Sequence, residues 1–195
     1  QIVSDGEEGS VRTNVKNPIL GVVYPDETRL RTYLEAGEFD LDTMADAFKS
    51  SAKTHANRIV LNGPEGKMTA RELDQASDRL ALALHKLGLV ANDRAVFQLP
   101  NCQAVFVCLL ACFKAQVIPL CTLQAHRRAE IKYLGNHAEA KLHLISNDDA
   151  GFDYAGFARE MQECVPSLQH LITVGGEVPE GAHSMQNLIE AQDIK

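Results

Sequence analysis

The chain has 195 residues, 45% of them hydrophobic, and its 26 acidic against 19 basic side chains give a formal net charge of -7. A chain of this length can bury roughly 70% of its unfolded surface, while its scattered Lys and Arg form no basic stripe of the kind that tracks a phosphate backbone, so nucleic acid is not an expected partner. The longest apolar run, Ala104 to Phe113, is about half the roughly 20 residues a membrane-spanning helix needs, so no membrane partner is expected, and the polar start with Asp5, Glu7 and Glu8 is no secretory signal.

Residues 1–27 are polar with little periodicity and read as an extended arm. Residues 28–195 read as one domain. Met44, Ala47, Phe48 and Ala52 recur at helical spacing within Thr43 to Ala52. Arg58 to Leu61 and Lys67 to Thr69 flank Asn62-Gly-Pro-Glu-Gly66, which predicts a hairpin. Thr69 and Glu72 form a capping box, and Leu73, Ala76, Leu80, Leu84 and Leu87 make an apolar helix face that ends at Gly88.

From Arg94 onward, strands and helices alternate. Arg94 to Leu99 is a strand stopped by Pro100, and Asn101 is the expected N-cap of a helix over Ala104 to Phe113 that is apolar on every side, as suits a helix buried beneath neighbours. Val117 to Cys121 reads as a strand, Arg127 to Ala138 as a helix and Leu142 to Ile145 as a strand. A turn at Asn147-Asp148-Asp149, a helix around Phe157 to Cys164 stopped by Pro166, and a strand near His170 to Val174 follow. Gly175-Gly176 closes the pattern. Strands spaced by helices imply an α/β fold with a mostly parallel sheet and flanking helices.

Five cysteines, Cys102, Cys108, Cys112, Cys121 and Cys164, include no C-x-x-C pair, which fits a reducing cytoplasm. Cys108 and Cys112 share a helix face, but without an accompanying histidine they read as small core residues, and no metal site is expected. Gly63 to Lys67 lacks the spacing of a phosphate-binding loop, and Gly175-Gly176 lacks the third glycine of a dinucleotide fingerprint. His137 and His143 bracket Glu139 yet sit on different elements, so they read as surface or core residues and not as a proton-transfer pair. No G-x-S-x-G elbow or Ser, His and Asp arrangement stands out, so no catalytic residue is assigned.

His126, Arg127 and Arg128 are the candidate binding residues. Two cations at a helix N-terminus oppose the macrodipole by about a few tenths of a kcal/mol each, which raises the question of what favours them there. The plainer reading is a salt bridge to Glu130 or another carboxylate, or simple solvation. The functional one is contact with an anionic nucleotide or a substrate carboxylate.

Several ordered segments carry a family resemblance. Lys67-Met-Thr-Ala-Arg-Glu-Leu73, Gln98-Leu-Pro-Asn101, Ala111-Cys-Phe-Lys-Ala115 with Pro119, and Ala125-His-Arg-Arg128 with Glu130-Ile131 together resemble the first part of the large N-terminal domain of adenylate-forming ligases. The branch they look most like acts on aryl and cyclic acids to form acyl-CoA. Ala70 stands where an aromatic is usual, and Gln116 where glycine is.

The resemblance implies ATP, Mg²⁺ and CoA or a carrier-protein pantetheine as cofactors of the full-length family, which forms acyl-AMP and then a thioester. It also implies a Ser/Thr/Gly-rich loop ending in lysine, an acidic ribose contact and a C-terminal lysine, and none of these is found here. By the same resemblance, the chain is expected to stop just before that loop would begin. It is therefore expected to be inactive alone, to hold no cofactor by itself, and to have as partner the missing C-terminal remainder of the ligase or, through uncovered apolar surface, another copy of itself. The competing readings are a free-standing interaction or regulatory module on the same scaffold, and a flavodoxin-like nucleotide binder.

Overall fold

The computed structural model describes residues 22–39, 42–147 and 151–193. The chain divides into two compact units between Asp42 and Thr43. In the first, α1 (Glu27–Glu35) begins at Asp26, whose carboxylate accepts the Arg29 N–H at 2.9 Å. The sequence reading offered no helix there. Most of the expected arm, residues 1–21, lies outside the described residues.

The second unit begins with a capping box that the sequence reading missed. Thr43 Oγ1 accepts the Asp46 N–H and the Asp46 carboxylate accepts the Thr43 N–H, both at 3.1 Å, to start α2 (Met44–Thr54). β1 (Ile59–Gly63) and β2 (Gly66–Thr69) form the expected antiparallel hairpin. The predicted box at Thr69 and Glu72 opens α3 (Ala70–Lys86), with Glu72 accepting the Thr69 N–H at 2.7 Å. Leu73, Leu80 and Leu84 are buried on its inner face, as the spacing requires.

The rest is a doubly wound sheet. β3 (Arg94–Gln98), α4 (Gln103–Lys114), β4 (Ile118–Cys121), α5 (Arg128–His137), β5 (Leu142–Ser146), α6 (Tyr154–Cys164), β6 (His170–Val174), β7 (His183–Ser184) and α7 (Met185–Glu190) follow in chain order. The strands lie in the order β4-β3-β5-β6-β7 and every pair is parallel. Alternation along each strand divides the core. Ala95, Phe97, Leu142, Leu144 and Ile172 pack with Leu80, Leu84 and Val107 on the α3–α4 face, whereas Val96 packs with Ile131, Phe157 and Met161 on the α5–α6 face.

Three local expectations are corrected. Asn101 is not the N-cap of α4, because the helix starts at Gln103 and Cys102 takes that position without a side-chain hydrogen bond. Asn101 stands one residue too early for its side chain to reach the first free amides. α4 is also not buried all round. Val107, Cys108, Ala111 and Cys112 face the core, but Phe106 is 49% exposed, because the apolar sequence surrounds the helix while the described neighbours cover only one side. α6 begins at Tyr154, three residues before the predicted start, since Asp153 caps it by accepting the Gly156 N–H at 2.8 Å.

Among the described residues β4 ends the sheet on one side. The Ile118 N–H reaches Asp93 O at 2.7 Å and the Thr122 N–H reaches Phe97 O at 3.0 Å, so residues 118, 120 and 122 turn toward β3. Residues 119 and 121 therefore face outward, and the first of these, Pro119, has no N–H.

Candidate functional site

The chain leaves β3 for α4 on one face of the sheet and leaves β5 for α6 on the other, although β3 and β5 are neighbours. Such a divergence opens a crevice at the carboxyl ends of the two strands, where open α/β sheets take ligands. Gln98 of β3 pairs in register with Ile145 of β5 at that point, and the β4–α5 loop, residues 122–127, comes to Gln98 there. At the end of β6, Gly176 has φ +59° and packs so closely on Asn147 that a Cβ would lie 2.3 Å from the Asn147 carbonyl oxygen. Only glycine fits such an approach in that conformation.

Gln98 and His143 form a buried polar pair on the α5–α6 face. Both side chains are fully shielded, and His143 Nε2 lies 3.1 Å from Gln98 Oε1. The Gln98 Nε2 donates to the carbonyls of His126 at 2.8 Å and Gln124 at 3.3 Å. Burial pushes the His143 imidazole down to about pKa 4, because nothing solvates its charged form. The second ring nitrogen, Nδ1, is buried without a partner. His143 is thus a core residue, as the sequence reading expects, and so is distinct from His137, which stacks on the exposed Tyr133 at 5.8 Å between centroids.

The three candidate residues are brought to one loop but given separate tasks. Arg127 folds back on its own backbone, with Nη1 donating to Gln124 O at 2.8 Å and His126 O at 2.9 Å. Its guanidinium lies 4.0 Å from the centroid of the Phe152 ring and 5.8 Å from that of Tyr154, a cation–π arrangement. Arg128 pairs with Glu160 at 2.5 Å. His126 accepts the Leu123 N–H at Nδ1 over 3.4 Å.

Glu130 does serve this loop, but through the backbone. Its carboxylate accepts the Arg127 N–H at 3.0 Å, and that bond holds the Glu130 carboxyl below its ordinary range. The plainer reading allowed a salt bridge to Glu130 or another carboxylate, and for Arg128 that carboxylate is Glu160, because Glu130 is engaged as a helix cap.

The residues that shape this edge but escaped sequence reasoning are Gln98, Phe152 and Tyr154. A polar side chain closing an apolar strand was the one signal for Gln98. Phe152 and Tyr154 meet Arg127 across a gap of some twenty-five residues that carries no local pattern, and Asp148 and Asp149 of the predicted turn lie outside the described residues. Cys108 and Cys112 are buried, Cys108 Sγ lies 3.5 Å from Met185 Sδ, and burial raises the Cys112 thiol to about pKa 12. Among the described residues no three His, Cys, Asp or Glu side chains gather as metal ligands, and no helix is long and apolar enough to cross a membrane. Two shallow surface grooves border the β1–β2 hairpin and α4, including one of about 250 Å³ between Leu61, Pro64 and Phe106, but both lie on the α3–α4 side and neither reaches this loop.

Residues 48–192 match the AMP-binding enzyme family. The 2,3-dihydroxybenzoate-AMP ligase of Bacillus subtilis is 36% identical over 78% of this chain and 28% of its own length. A salicyl-AMP ligase / salicyl-S-ArCP synthetase of Mycobacterium tuberculosis is 33% identical over 77% of this chain and 28% of its own length. Among solved structures, the Mycobacterium smegmatis MbtA apo structure superposes with a TM-score of 0.79 at 24% identity, covering 89% of this chain and 32% of that one. The anthranilate CoA ligase AuaEII in complex with anthranoyl-AMP gives 0.73 at 18% identity, covering 80% and 30%. The structural likenesses carry the fold. The chain spans about a quarter of the length of the curated relatives it matches.

Proposed function

Because the chain belongs to the AMP-binding enzyme family, we propose that it forms the first part of an ATP-dependent ligase that activates an aryl carboxylic acid as its acyl-AMP and passes it to the thiol of CoA or a carrier pantetheine. The observation that carries this reading is the 36% identity, over most of this chain, to a 2,3-dihydroxybenzoate-AMP ligase. Two further relatives are named for aryl-acid adenylation and a fourth for salicylyl-CoA synthesis. A run of ligases does not favour a free-standing module.

ATP and Mg²⁺ would come with that activity, but the described residues do not fit them by themselves. Arg127 is spent on its own carbonyls and Arg128 on Glu160, no cluster of three metal-ligand side chains forms, and the sequence holds no Ser/Thr/Gly-rich loop ending in lysine. No step of phosphoryl chemistry is assigned to this chain. Its part is scaffolding: a sheet edge and a shaped loop at its carboxyl end. Further polypeptide of the ligase, or a second copy in its absence, would cover exposed apolar groups such as Phe106 and Ile118. Five unpaired thiols support a reducing, cytoplasmic setting.

A chimera tests the reading. Residues 43–193 would replace the matching segment of the Bacillus subtilis ligase, and exchange of labelled pyrophosphate into ATP would be assayed with 2,3-dihydroxybenzoate, salicylate and anthranilate. Aryl-acid-dependent exchange is expected from the chimera and none from the isolated chain. A folded chimera inactive with all three acids would overturn it.

A further inference from the structure

The loop between β4 and α5 is gripped from two sides at the same two carbonyls. From inside the sheet, Gln98 Nε2 faces Gln124 O and His126 O, so the amide cannot turn over and its Oε1 must face His143. An acceptor there requires a donor opposite, which places the proton of the neutral imidazole on Nε2 and leaves the lone pair on Nδ1. From outside, Arg127 Nη1 donates to the same two oxygens while its guanidinium carbon lies over the Phe152 ring, and Tyr154 Oη donates to Gln124 O at 3.4 Å.

We infer that Gln98 and Arg127 are positioning residues that act as inner and outer jaws on the Gln124 and His126 carbonyls, and that the Nε2–H tautomer of His143 sets the inner jaw. Together they give the loop one shape at the carboxyl edge of the sheet. Both bonds leave the one nitrogen Nη1, so what arginine adds at position 127 is a guanidinium whose central carbon lies 4.0 Å from the Phe152 ring centroid while Nη1 holds the two carbonyls. This goes beyond the proposed activity and is independent of which acid is activated.

The full chain labelled with ¹⁵N-histidine tests it by NMR at neutral pH, together with amide exchange. The expected His143 signature is the neutral Nε2–H tautomer. Gln98→Met should abolish that tautomer preference and speed exchange of the Thr122 and His126 amides about tenfold, the effect of losing one restraining hydrogen-bond pair, with α3 amides unchanged. Arg127→Ala should speed the same amides while leaving the His143 signature intact. An Nδ1–H or imidazolium form in the unmodified chain overturns the inner jaw. Wild-type protection in Arg127→Ala overturns the outer one. Should Gln98→Met fail to fold, the tautomer and the exposed Arg127→Ala variant still decide.

Discussion

Lys114 at the end of α4 places its ammonium 2.7 Å from the Asp74 carboxylate of α3, with only a tenth of its side chain exposed. The same nitrogen reaches Asp78 at 2.6 Å and Ser77 Oγ at 2.8 Å, so a single cation from one helix ties down a whole turn of another. Removing it leaves two carboxylates facing each other with no counter-charge. Lys114→Ala is expected to cost about 3 kcal/mol. Asp78→Asn, whose side chain is 35% exposed, should cost under about 1 kcal/mol. Urea denaturation of the two variants separates them, and equal midpoints would refute the ordering.

The inner face of α3 carries the next expectation. Leu80 and Leu84 are each 1% exposed in the core beneath the sheet. Truncating either to alanine removes packed methyl groups and leaves a cavity, at a cost of about 2 to 5 kcal/mol. Leu82, 37% exposed on the same helix, should lose less than about 1 kcal/mol on the same change. Equilibrium denaturation of the three variants checks the assignment of the face.

Acid should weaken the fold through His143. The folded imidazole titrates near pKa 4, below the ordinary 6.5, because burial disfavours its charged form. The unfolded chain therefore takes up a proton that the folded one refuses, and stability falls as pH drops from about 6.5 toward 4. The full loss approaches about 3 kcal/mol. His143→Gln keeps a donor toward Gln98 but cannot titrate. Its denaturation midpoint should be flatter across this window than that of the unmodified chain, and parallel profiles would exclude His143 as the source.

Gln116 follows α4 with φ +59°, a left-handed conformation that a residue with a Cβ adopts at a cost. Its N–H reaches Phe113 O at 3.2 Å and the next N–H, of Val117, reaches Cys112 O at 2.8 Å, closing the helix as a glycine usually does. The glycine expected from the family pattern thus has a backbone reason. Gln116→Gly should stabilise the fold by up to about 1 kcal/mol, the released strain exceeding the added freedom of the unfolded chain. Thermal melting would show it, and a lowered midpoint would refute it.

These residues also show what could be read before any coordinates. The α3 helix was legible because cap, period and stop agree within some twenty residues: Thr69, Glu72, Leu73, Leu80, Leu84 and Gly88. The alternation of β3 to β6 with helices was legible because both faces of a parallel sheet are covered and its strands are short apolar runs. Phe106 was misjudged because hydrophobicity reports what a side chain prefers and not what lies beside it. The role of Arg127 was hidden for a different reason. Charge suggested a ligand or a carboxylate, whereas the planar guanidinium is satisfied by two carbonyls of its own loop and by a ring supplied after β5.

Pro119 has a consequence for assembly. The outward rim of β4 offers carbonyl oxygens at positions 119 and 121 but an amide hydrogen only at Cys121. An incoming strand would find two acceptors but one donor, and the gap at position 119 interrupts pairing along that rim. Copies of this chain that stick together should do so through side chains such as Phe106 and Ile118, giving particles that dissolve on dilution or with mild detergent. Growth of the sheet from one molecule into the next, with the intermolecular amide band that infrared spectroscopy would record, is not expected from this side.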